Sequence, residues 1–382
     1  MMNSRICAAS LNRRFPLVLL HSFCLLLLGC NVAPKYFTPK SDLPTAFKTL
    51  GPWRTARPSA AEARGDWWRL FGDARLAKLM QEAEAASPTL DVARHRVSEA
   101  RALARADKAG LFPFATITNS VDRTRGSETM AAQFAGGRSR TSITNVLDFN
   151  YELDFWGRIR NQSQAGRARA DAAEADLQNV RLLLHSELAM NYYALRVQDA
   201  QIALLRRNVT VRERTADLAR KRFAQGDIAQ IDVAQAETDL AETQAEAIGL
   251  ERLRAELEHA IALLVGKVPS QLNLPASPIS GSPPSLPRSV PSSLLERRPD
   301  IASAEREMAA LNAEIGVAKA AYFPTITIGL RGGTQTSFYD LIDNSSSRIW
   351  GLGPAAVEWP LLRGGGVRAN HQATQARYEQ AA

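Results

Sequence analysis

The sequence predicts a mainly α-helical protein with a small β part, in which a unit of helix, β-hairpin and long helix occurs twice. Three observations predict this class. Residues 158–225 contain one glycine and no proline, two short stretches alternate apolar and polar side chains, and matching residues recur 211 positions apart. The composition agrees, because 382 residues with 45% hydrophobic and 23% charged residues fit neither a disordered chain nor a polytopic helical membrane protein.

The helical part consists of long, alanine-rich segments. Residues 73–110 are interrupted only at Ser87-Pro88. Residues 158–225 are long enough for a helix of roughly 100 Å, and residues 231–264 predict its return. In the long helix, apolar residues at spacings of three and four predict coiled-coil packing against neighbours. These residues are Leu177, Val180, Leu184, Leu188, Tyr192 and Leu195. The return helix carries the same spacing from Leu250 through Leu253 to Leu264.

Two hairpins interrupt these helices. Residues 114–123 form the first predicted strand, and its return alternates apolar and polar side chains from Ile143 to Leu153. Ten-residue strands with one apolar face are typical of outer-membrane barrels, although a half-buried hairpin of a soluble domain has the same pattern. The polar loop 126–140 is expected outside. Asp122, Asp148 and Arg331 fall on the polar faces of the predicted strands. These three residues are expected either to line a lumen or to form an ordinary solvated surface.

The second hairpin belongs to an internal duplication. Pro88 to Pro113 and Pro299 to Pro324 span the same number of residues, and identical residues recur between the two segments at an offset of 211. After the second hairpin the sequence stops within a helical segment that has no stop signal. We therefore expect this chain to be a C-terminally truncated form of a longer protein.

The first thirty residues predict export. Three arginines precede an apolar run that ends in Leu27-Leu28-Gly29-Cys30. This arrangement is typical of a secretory signal, and the run is shorter than the roughly 20 residues of a transmembrane helix. Leu-Leu-Gly-Cys also resembles the bacterial lipobox, so Cys30 is expected to be the acylated mature N-terminus. An ordinary signal with an incidental cysteine is the alternative. Asn31 after the cysteine favours the outer membrane.

The number of strands predicts an oligomer. Four membrane strands cannot close a barrel, and an open edge in lipid leaves backbone groups without hydrogen-bond partners. Two copies give a filled barrel of eight strands, and three copies give twelve strands around a lumen. We favour the homotrimer, with the helices continuing as a periplasmic tube.

The sequence carries none of the patterns that predict an enzyme or a nucleic-acid partner. Its net charge of +8 is modest and spread along the chain. His95, His185, His259 and His371 lie far apart on predicted helices, and no spacing typical of a nucleophile, a metal site or a phosphate loop occurs. We therefore expect no catalytic activity, no metal and no cofactor.

Five segments in order resemble those of the TolC-like outer membrane factors (outer membrane efflux proteins), in particular their NodT-type lipoprotein subgroup. The segments are Cys30–Tyr36, Trp67–Asp73, Tyr151–Arg158, Leu263–Gly266 and Arg297–Ile301. The resemblance implies a trimer in which a transmembrane β-barrel of twelve strands continues into a TolC-like α-helical barrel. It also implies the passive exit duct of a tripartite pump. The implied partners are a periplasmic adaptor (membrane fusion) protein, a proton-driven inner-membrane transporter and outer-membrane lipid.

The resemblance assigns a role to the turn between the long helix and its return. In the family an Arg-x-x-x-Gly turn, with the residues that follow, forms the periplasmic tip that contacts the adaptor. The residues of this chain expected at that contact are Arg222, Phe223, Gly226, Ile228 and Asp232. A simple helix C-cap at Gly226 is the alternative interpretation.

These predictions divide the chain into five parts. They are a lipoprotein signal peptide (1–29), an N-terminal equatorial segment (30–72), a first repeat (73–268, hairpin about 113–153), an equatorial connector (269–290) and a truncated second repeat (291–382, hairpin about 324–359). The expected function is an export duct for small toxic compounds such as drugs, dyes or aromatic acids. A type I protein-secretion duct and a non-conducting trimeric coiled-coil surface protein are the alternatives.

Overall fold

The computed structural model describes residues 31–38, 66–125, 139–279, 298–339 and 342–382. The expected signal peptide, Cys30 and residues 126–138 of the first hairpin loop lie outside these residues. The chain forms two compact units. Of the described residues, 31–38, 100–125, 139–171, 304–339 and 342–382 belong to the sheet unit, and residues 66–99, 172–279 and 298–303 belong to the helical unit.

Helices form most of the described residues, as the sequence predicts. They are α1 (Ala74–Ala86), α2 (Pro88–Ala109), α3 (Arg158–Ala224), α4 (Gln230–Leu264), α5 (Pro299–Ala320) and α6 (Gly366–Ala381). The uninterrupted α3 of 67 residues confirms the predicted long helix. No helix in the described part of the chain is both long and apolar enough to cross a membrane.

Four antiparallel strands form one sheet in the order β1-β2-β3-β4. They are β1 (Phe114–Arg125), β2 (Ser139–Leu153), β3 (Thr325–Thr336) and β4 (Arg348–Glu358). Ser139 and Arg140, which we expected in the loop, are instead the first residues of β2, because they pair with Arg125 and Thr124. A register irregularity between Ile328 and Leu330 interrupts the pairing of β3 with β4.

The duplication predicted from the sequence is present in the structure. Helices α2 and α5 both have 22 residues, and strands β1 and β3 both have 12. In each copy the helix leads directly into its strand, and a further helix follows the second strand of each hairpin. The repeated sequence therefore encodes a repeated unit of structure.

The core of the helical unit joins α1 and α2 to α3 and α4. Its side chains include Leu76, Met80, Leu90, Leu188, Leu195 and Ile261, each fully buried. Asp73 caps α1 by accepting hydrogen bonds from the amides of Arg75 (2.9 Å) and Leu76 (3.0 Å). The Tyr192 hydroxyl of α3 donates to the same carboxylate at 2.6 Å, and burial with this bond raises the pKa of Tyr192 to about 12. One carboxylate thus caps α1 and ties it to α3.

Trp68 packs in the core of the helical unit. Only 9% of it is exposed, and its ring lies edge-on to the imidazole of His185 with centroids 4.6 Å apart. The predicted stripe of α3 is also buried in this core, but Leu253 of α4 is 37% exposed and lies outside it.

A buried ion cluster holds the extended segment after α4. The Asp199 carboxylate accepts hydrogen bonds from Arg196 Nη1 at 3.0 Å, Arg254 Nε at 2.7 Å and the Ser277 amide at 2.9 Å. Burial raises the pKa of Asp199, but these hydrogen bonds outweigh it and hold the pKa below its usual value. Because one donor is the Ser277 backbone, the cluster fastens this segment to α3 and α4.

The segment that follows Cys30 is fixed to the sheet unit. The side chains of Asn31 and Asn161 exchange two hydrogen bonds of 3.2 and 2.9 Å, and Asn161 is fully buried. A Cβ at Gly157 would lie 2.9 Å from Asn31 Oδ1, and one at Gly316 would lie 2.5 Å from the Cβ of Ala33. Two glycines therefore make the space that this segment occupies.

Candidate functional site

The β-sheet has one apolar face. Residues directly opposite each other on adjacent antiparallel strands project to the same side, so the register assigns every side chain to a face. The apolar residues Ile117, Val121, Leu147, Phe149, Ile328, Leu330, Trp350, Leu352 and Val357 all lie on one face. Each is at least 37% exposed, and Trp350 is 85% exposed. Such a continuous exposed apolar surface is typical of a contact with lipid or protein.

The polar face carries the three residues predicted as lumen candidates. Asp148 and Arg331 are opposite each other on β2 and β3, and Arg331 Nε lies 2.7 Å from Asp148 Oδ1. Asp122 lies on the same face, opposite Ser142 of β2. Ser142 is six residues from Asp148, so Asp122 lies about 20 Å from Asp148 along the strand direction. The structure therefore brings Asp148 and Arg331 together, and it places Asp122 nearer the hairpin end.

Val146 is a residue of the polar face whose packing the sequence did not indicate. It is 4% exposed and lies opposite Gly333. A Cβ at Gly333 would lie 2.0 Å from the backbone oxygen of Asn145. Gly333 therefore permits a close approach of β2 and β3 at this point. A glycine within a predicted strand is the sequence feature that could have indicated this approach.

The junction from β2 to α3 is fixed by two acidic residues. Glu152 accepts two hydrogen bonds from the guanidinium of Arg158, at 2.9 and 2.6 Å. Asp154 accepts from the amides of Ile159 (3.1 Å) and Arg160 (2.8 Å) and so caps α3. The alternation of the strand predicts both acidic residues on its polar side, and their hydrogen bonds to the start of α3 were not predicted.

The turn between α3 and α4 has the hydrogen bonds of a Schellman motif. The Asp227 amide donates to the Arg222 carbonyl at 3.0 Å, and the Gly226 amide donates to the Phe223 carbonyl at 2.9 Å. Gly226 has a φ of +79°, a conformation in which glycine is strongly favoured. At the start of α4, the Asp232 carboxylate accepts from the Ala229 amide at 3.0 Å. The C-cap at Gly226 is thus present, and Asp232 stabilises the next helix.

The same turn presents a cation beside apolar side chains. Arg222, Phe223 and Asp232 are exposed and Ile228 is half-buried, with 44% of Phe223 accessible. Ile231 is 73% exposed, and it was not predicted at the tip because an apolar residue at the start of a helix gives no local sign that it is exposed. The structure therefore brings the five predicted tip residues to one turn, with Ile231 beside them.

No arrangement of catalytic or metal-binding groups stands out in the described part of the chain. Within residues 31–38, 66–125, 139–279, 298–339 and 342–382, no three His, Cys, Asp or Glu side chains are grouped so that they could hold a metal ion. His185 is 4% exposed, and its pKa is lowered by burial and secondarily by the charge of Arg181, against the opposing effect of Glu84. Its surroundings are those of a packing residue of the core.

Both a family model and individual relatives agree with the resemblance to the outer membrane efflux proteins. The model of the outer membrane efflux protein family matches residues 79–267 and 290–382. The probable outer membrane lipoprotein SilC of Salmonella typhimurium is 28% identical over 362 residues, 93% of this chain and 76% of that protein. The solvent efflux pump outer membrane protein SrpC of Pseudomonas putida is 31% identical over 91% of this chain and 74% of its own length.

A solved structure extends the similarity to the fold. The outer-membrane channel OprN superposes with a TM-score of 0.81 at 31% sequence identity, over 92% of this chain and 78% of that one. The fold class predicted from the sequence, that of the TolC-like channels, is thereby confirmed. The chain belongs to the outer membrane efflux protein family.

Proposed function

We propose that this chain is the outer-membrane channel subunit of a tripartite efflux pump and passively conducts small toxic compounds from the periplasm to the exterior. The two-faced sheet is the observation that carries the proposal. Nine exposed apolar side chains share one face, and the ion pair of Asp148 with Arg331 lies on the other. Such a sheet suits lipid on one side and a polar passage on the other.

The assembly we infer is a homotrimer. Strands β1 and β4 are the two edges of the four-stranded sheet, and an unpaired edge in lipid costs several kcal/mol for each backbone group without a partner. Strands of three copies satisfy these groups and enclose a lumen of twelve strands. In this arrangement Asp122, Asp148 and Arg331 line the lumen.

The exposed turn between α3 and α4 supports an adaptor contact. Arg222 supplies charge, while Phe223, Ile228 and Ile231 supply apolar surface, which is the composition of a protein-binding patch. Gly226 and Asp232 set the shape of the turn through its hydrogen bonds. The partner we propose here is a periplasmic adaptor, coupled in turn to a proton-driven inner-membrane transporter.

A lipid anchor at Cys30 completes the proposal. The lipobox-like sequence directly precedes Asn31. Asn31 is hydrogen-bonded to Asn161, which lies in the first turn of α3, just after β2. An acyl group on the neighbouring cysteine would therefore be held close to the β strands. The substrate class we propose, small toxic compounds such as drugs, dyes or aromatic acids, is supported by the similarity to a protein named for solvent efflux.

The experiment that tests this function combines conductance with the accessibility of the two faces. The purified protein is reconstituted into planar bilayers, and single cysteines are placed at Leu352 on the apolar face and at Thr327 on the polar face. We expect single-channel conductance, and reaction of a water-soluble maleimide at position 327 but not at 352. Equal labelling of both positions, with no conductance, would contradict the proposal.

A further inference from the structure

The charged side chains of the sheet are divided unequally between its faces. All acidic residues within the described strands lie on the polar face: Asp122, Asp148, Glu152 and Glu358. The register puts Arg140 and Arg331 on that face too. The apolar face carries no acidic residue within the four strands, but it carries Arg123, Arg125 and Arg348.

These arginines lie toward the hairpin ends of the apolar face. Arg348 is the first residue of β4 and lies two residues beyond Trp350, while Arg123 lies two residues beyond Val121. At the other end of the face, the row formed by Leu153, Ile326 and Val357 has no charge. The apolar surface therefore changes to a cationic one only where the strands approach the hairpin turns.

The surroundings of Arg123 and Arg348 differ from those of the arginine on the opposite face. Both are exposed, and neither is within ion-pair distance of an acidic side chain among the residues that the structure describes. Arg331, in contrast, pairs with Asp148 across the strands. Within the described ranges, the two exposed guanidinium groups therefore have no acidic partner, and their donors can bind an anion from outside the chain.

We propose that Arg123 and Arg348 form a cationic rim that binds phosphate groups of the glycolipid in the outer leaflet of the outer membrane. This inference rests on the proposed function, which puts the apolar face in lipid and the hairpin ends at the external surface. Guanidinium groups bind phosphate through two parallel hydrogen bonds, and a long side chain at the edge of an apolar band extends its charge into the headgroup layer. The charge is thus complementary to the lipid that this end of the sheet meets.

The spacing indicates a rim and not a single pocket. Along the strands, Arg123 is level with Thr141 of β2 and Arg348 is level with Asn145 of β2, four residues away. Across the sheet, β1 and β4 are separated by three inter-strand spacings. These separations place the two Cα positions about 20 Å apart. Each arginine therefore binds its own phosphate group, and Trp350 covers the acyl region next to Arg348.

The test uses a matched pair of arginines at one hairpin end. Arg123 and Arg140 lie close together, opposite Thr141 and Thr124, but on different faces of the sheet. The purified channel, stripped of lipid in detergent, is titrated with rough-type lipopolysaccharide and bound lipid is counted by native mass spectrometry. We expect Arg123→Gln with Arg348→Gln to weaken binding about tenfold. We expect Arg140→Gln to bind like the wild type.

Two further measurements sharpen the result. The same lipid with its phosphates removed should bind wild type and double variant equally, and Arg123→Lys with Arg348→Lys should retain part of the affinity because the charge remains. Unchanged binding by the Gln double variant, or an equal loss in Arg140→Gln, would overturn the rim. A channel that conducts while its lipid binding ignores these arginines refutes only this inference, whereas a chain that never enters the membrane refutes the proposed function.

Discussion

Gly226 shows how one residue without a side chain determines the turn between the two longest helices. Its φ of +79° is unfavourable for other residues, while no atom lies within 4 Å of the position that a Cβ would occupy. Gly226→Ala should therefore cost about 1–2 kcal/mol through backbone strain alone. Hydrogen exchange of the amides of residues 225–227 should accelerate by a factor of about 5–30.

The control for this variant is Gly249→Ala. Gly249 lies inside α4, also with open space around its Cβ position, and its φ is not left-handed. Alanine should stabilise a helix interior by about 0.5–1 kcal/mol relative to glycine. Slower or unchanged exchange at the turn in Gly226→Ala would show that the Schellman motif does not hold it.

Asn161 determines where the segment after the expected lipid anchor lies. Removing its amide breaks both hydrogen bonds to Asn31, while Asn31 Oδ1 still accepts from the Ala33 amide at 3.0 Å. At about 0.5–1.5 kcal/mol for each bond, the loss should weaken the contact by about 1–3 kcal/mol. We expect Asn161→Ala to speed trypsin cleavage after Lys35, which is exposed in that segment. Gln162→Ala is the control, because Gln162 donates to Asp107 at 3.1 Å and belongs to a different contact. Equal cleavage rates in both variants would remove Asn161 from this role.

His185 should make the helical unit less stable in mild acid. Burial lowers its pKa from 6.5, so the folded state keeps the imidazole neutral while the unfolded state takes up a proton as the pH falls below that value. The free energy of unfolding therefore decreases with falling pH in this window. When the pH is lowered from 7.5 to 5.5, the Tm of His185→Gln should fall less than the Tm of the wild type. An unchanged loss, matching that of the exposed control His259→Gln, would assign the effect to other groups.

Periodicity explains why the helices and strands were predictable. A residue's face on α3 depends on neighbours three and four positions away, and a residue's face on β2 depends on neighbours two away, so the sequence contains this information locally. The contact of Asn31 with Asn161 joins residues 130 positions apart, and the Asp199–Ser277 bond joins residues 78 apart. Such pairs depend on the tertiary arrangement, and no local pattern indicates them.

The turn at Gly226 and the polar face of the sheet were predictable to different extents. Gly226 follows from a capping rule, because glycine is favoured just after the C-terminus of a helix. Asp232 was expected only at the adaptor contact that the resemblance implies, and its hydrogen bond from the Ala229 amide was not predicted. The pairing of Asp148 with Arg331 required the register of β2 against β3, which residues 183 positions apart do not encode locally. Ile231 was missed because an apolar residue in a helix is ordinarily assigned to the core.

Helix α3 has a second apolar stripe that the chain leaves exposed. Its members recur at intervals of seven residues: Leu183, Met190, Val197, Leu204, Val211 and Leu218, each at least 41% exposed. The buried residues Leu188, Leu195 and Ile202 share this spacing on another face. A strict seven-residue repeat is typical of a coiled-coil seam, so α3 is built to contact helices on two sides.

Leu204→Asp tests whether the exposed stripe stabilises the proposed trimer. Burying a leucine contributes about 2 kcal/mol, and an aspartate at the seam adds the cost of an unpaired buried charge. We expect a clear shift from trimer to monomer in light scattering of the detergent-solubilised protein. Thr210→Asp places the same charge at an exposed position on a different face of α3, about 120° from Leu204, and should remain trimeric. If both variants stay trimeric, this stripe is not part of the assembly.

At the scale of the whole molecule, the polar faces of the sheets set the charge of the proposed passage. Each chain contributes the ion pair of Asp148 with Arg331, in which one charge compensates the other. Because both side chains are on the face opposite the apolar surface, the proposed trimer would carry three such pairs around its proposed lumen. Removing one partner from each pair therefore changes the lumen by three unit charges without altering the lipid-facing surface.

Arg331→Gln should make the channel more selective for cations. It leaves Asp148 unpaired in every chain, and a ring of negative charge raises the local concentration of cations. In planar bilayers with a potassium chloride gradient, we expect the reversal potential to move toward the potassium equilibrium potential, and the shift to decrease at high salt. The double variant Arg331→Gln with Asp148→Asn removes both charges and should return the reversal potential to the wild-type value. A conducting Arg331→Gln channel with an unchanged reversal potential would show that the pair lies away from the ion path, because a charge in the lumen necessarily acts on the ions that pass it.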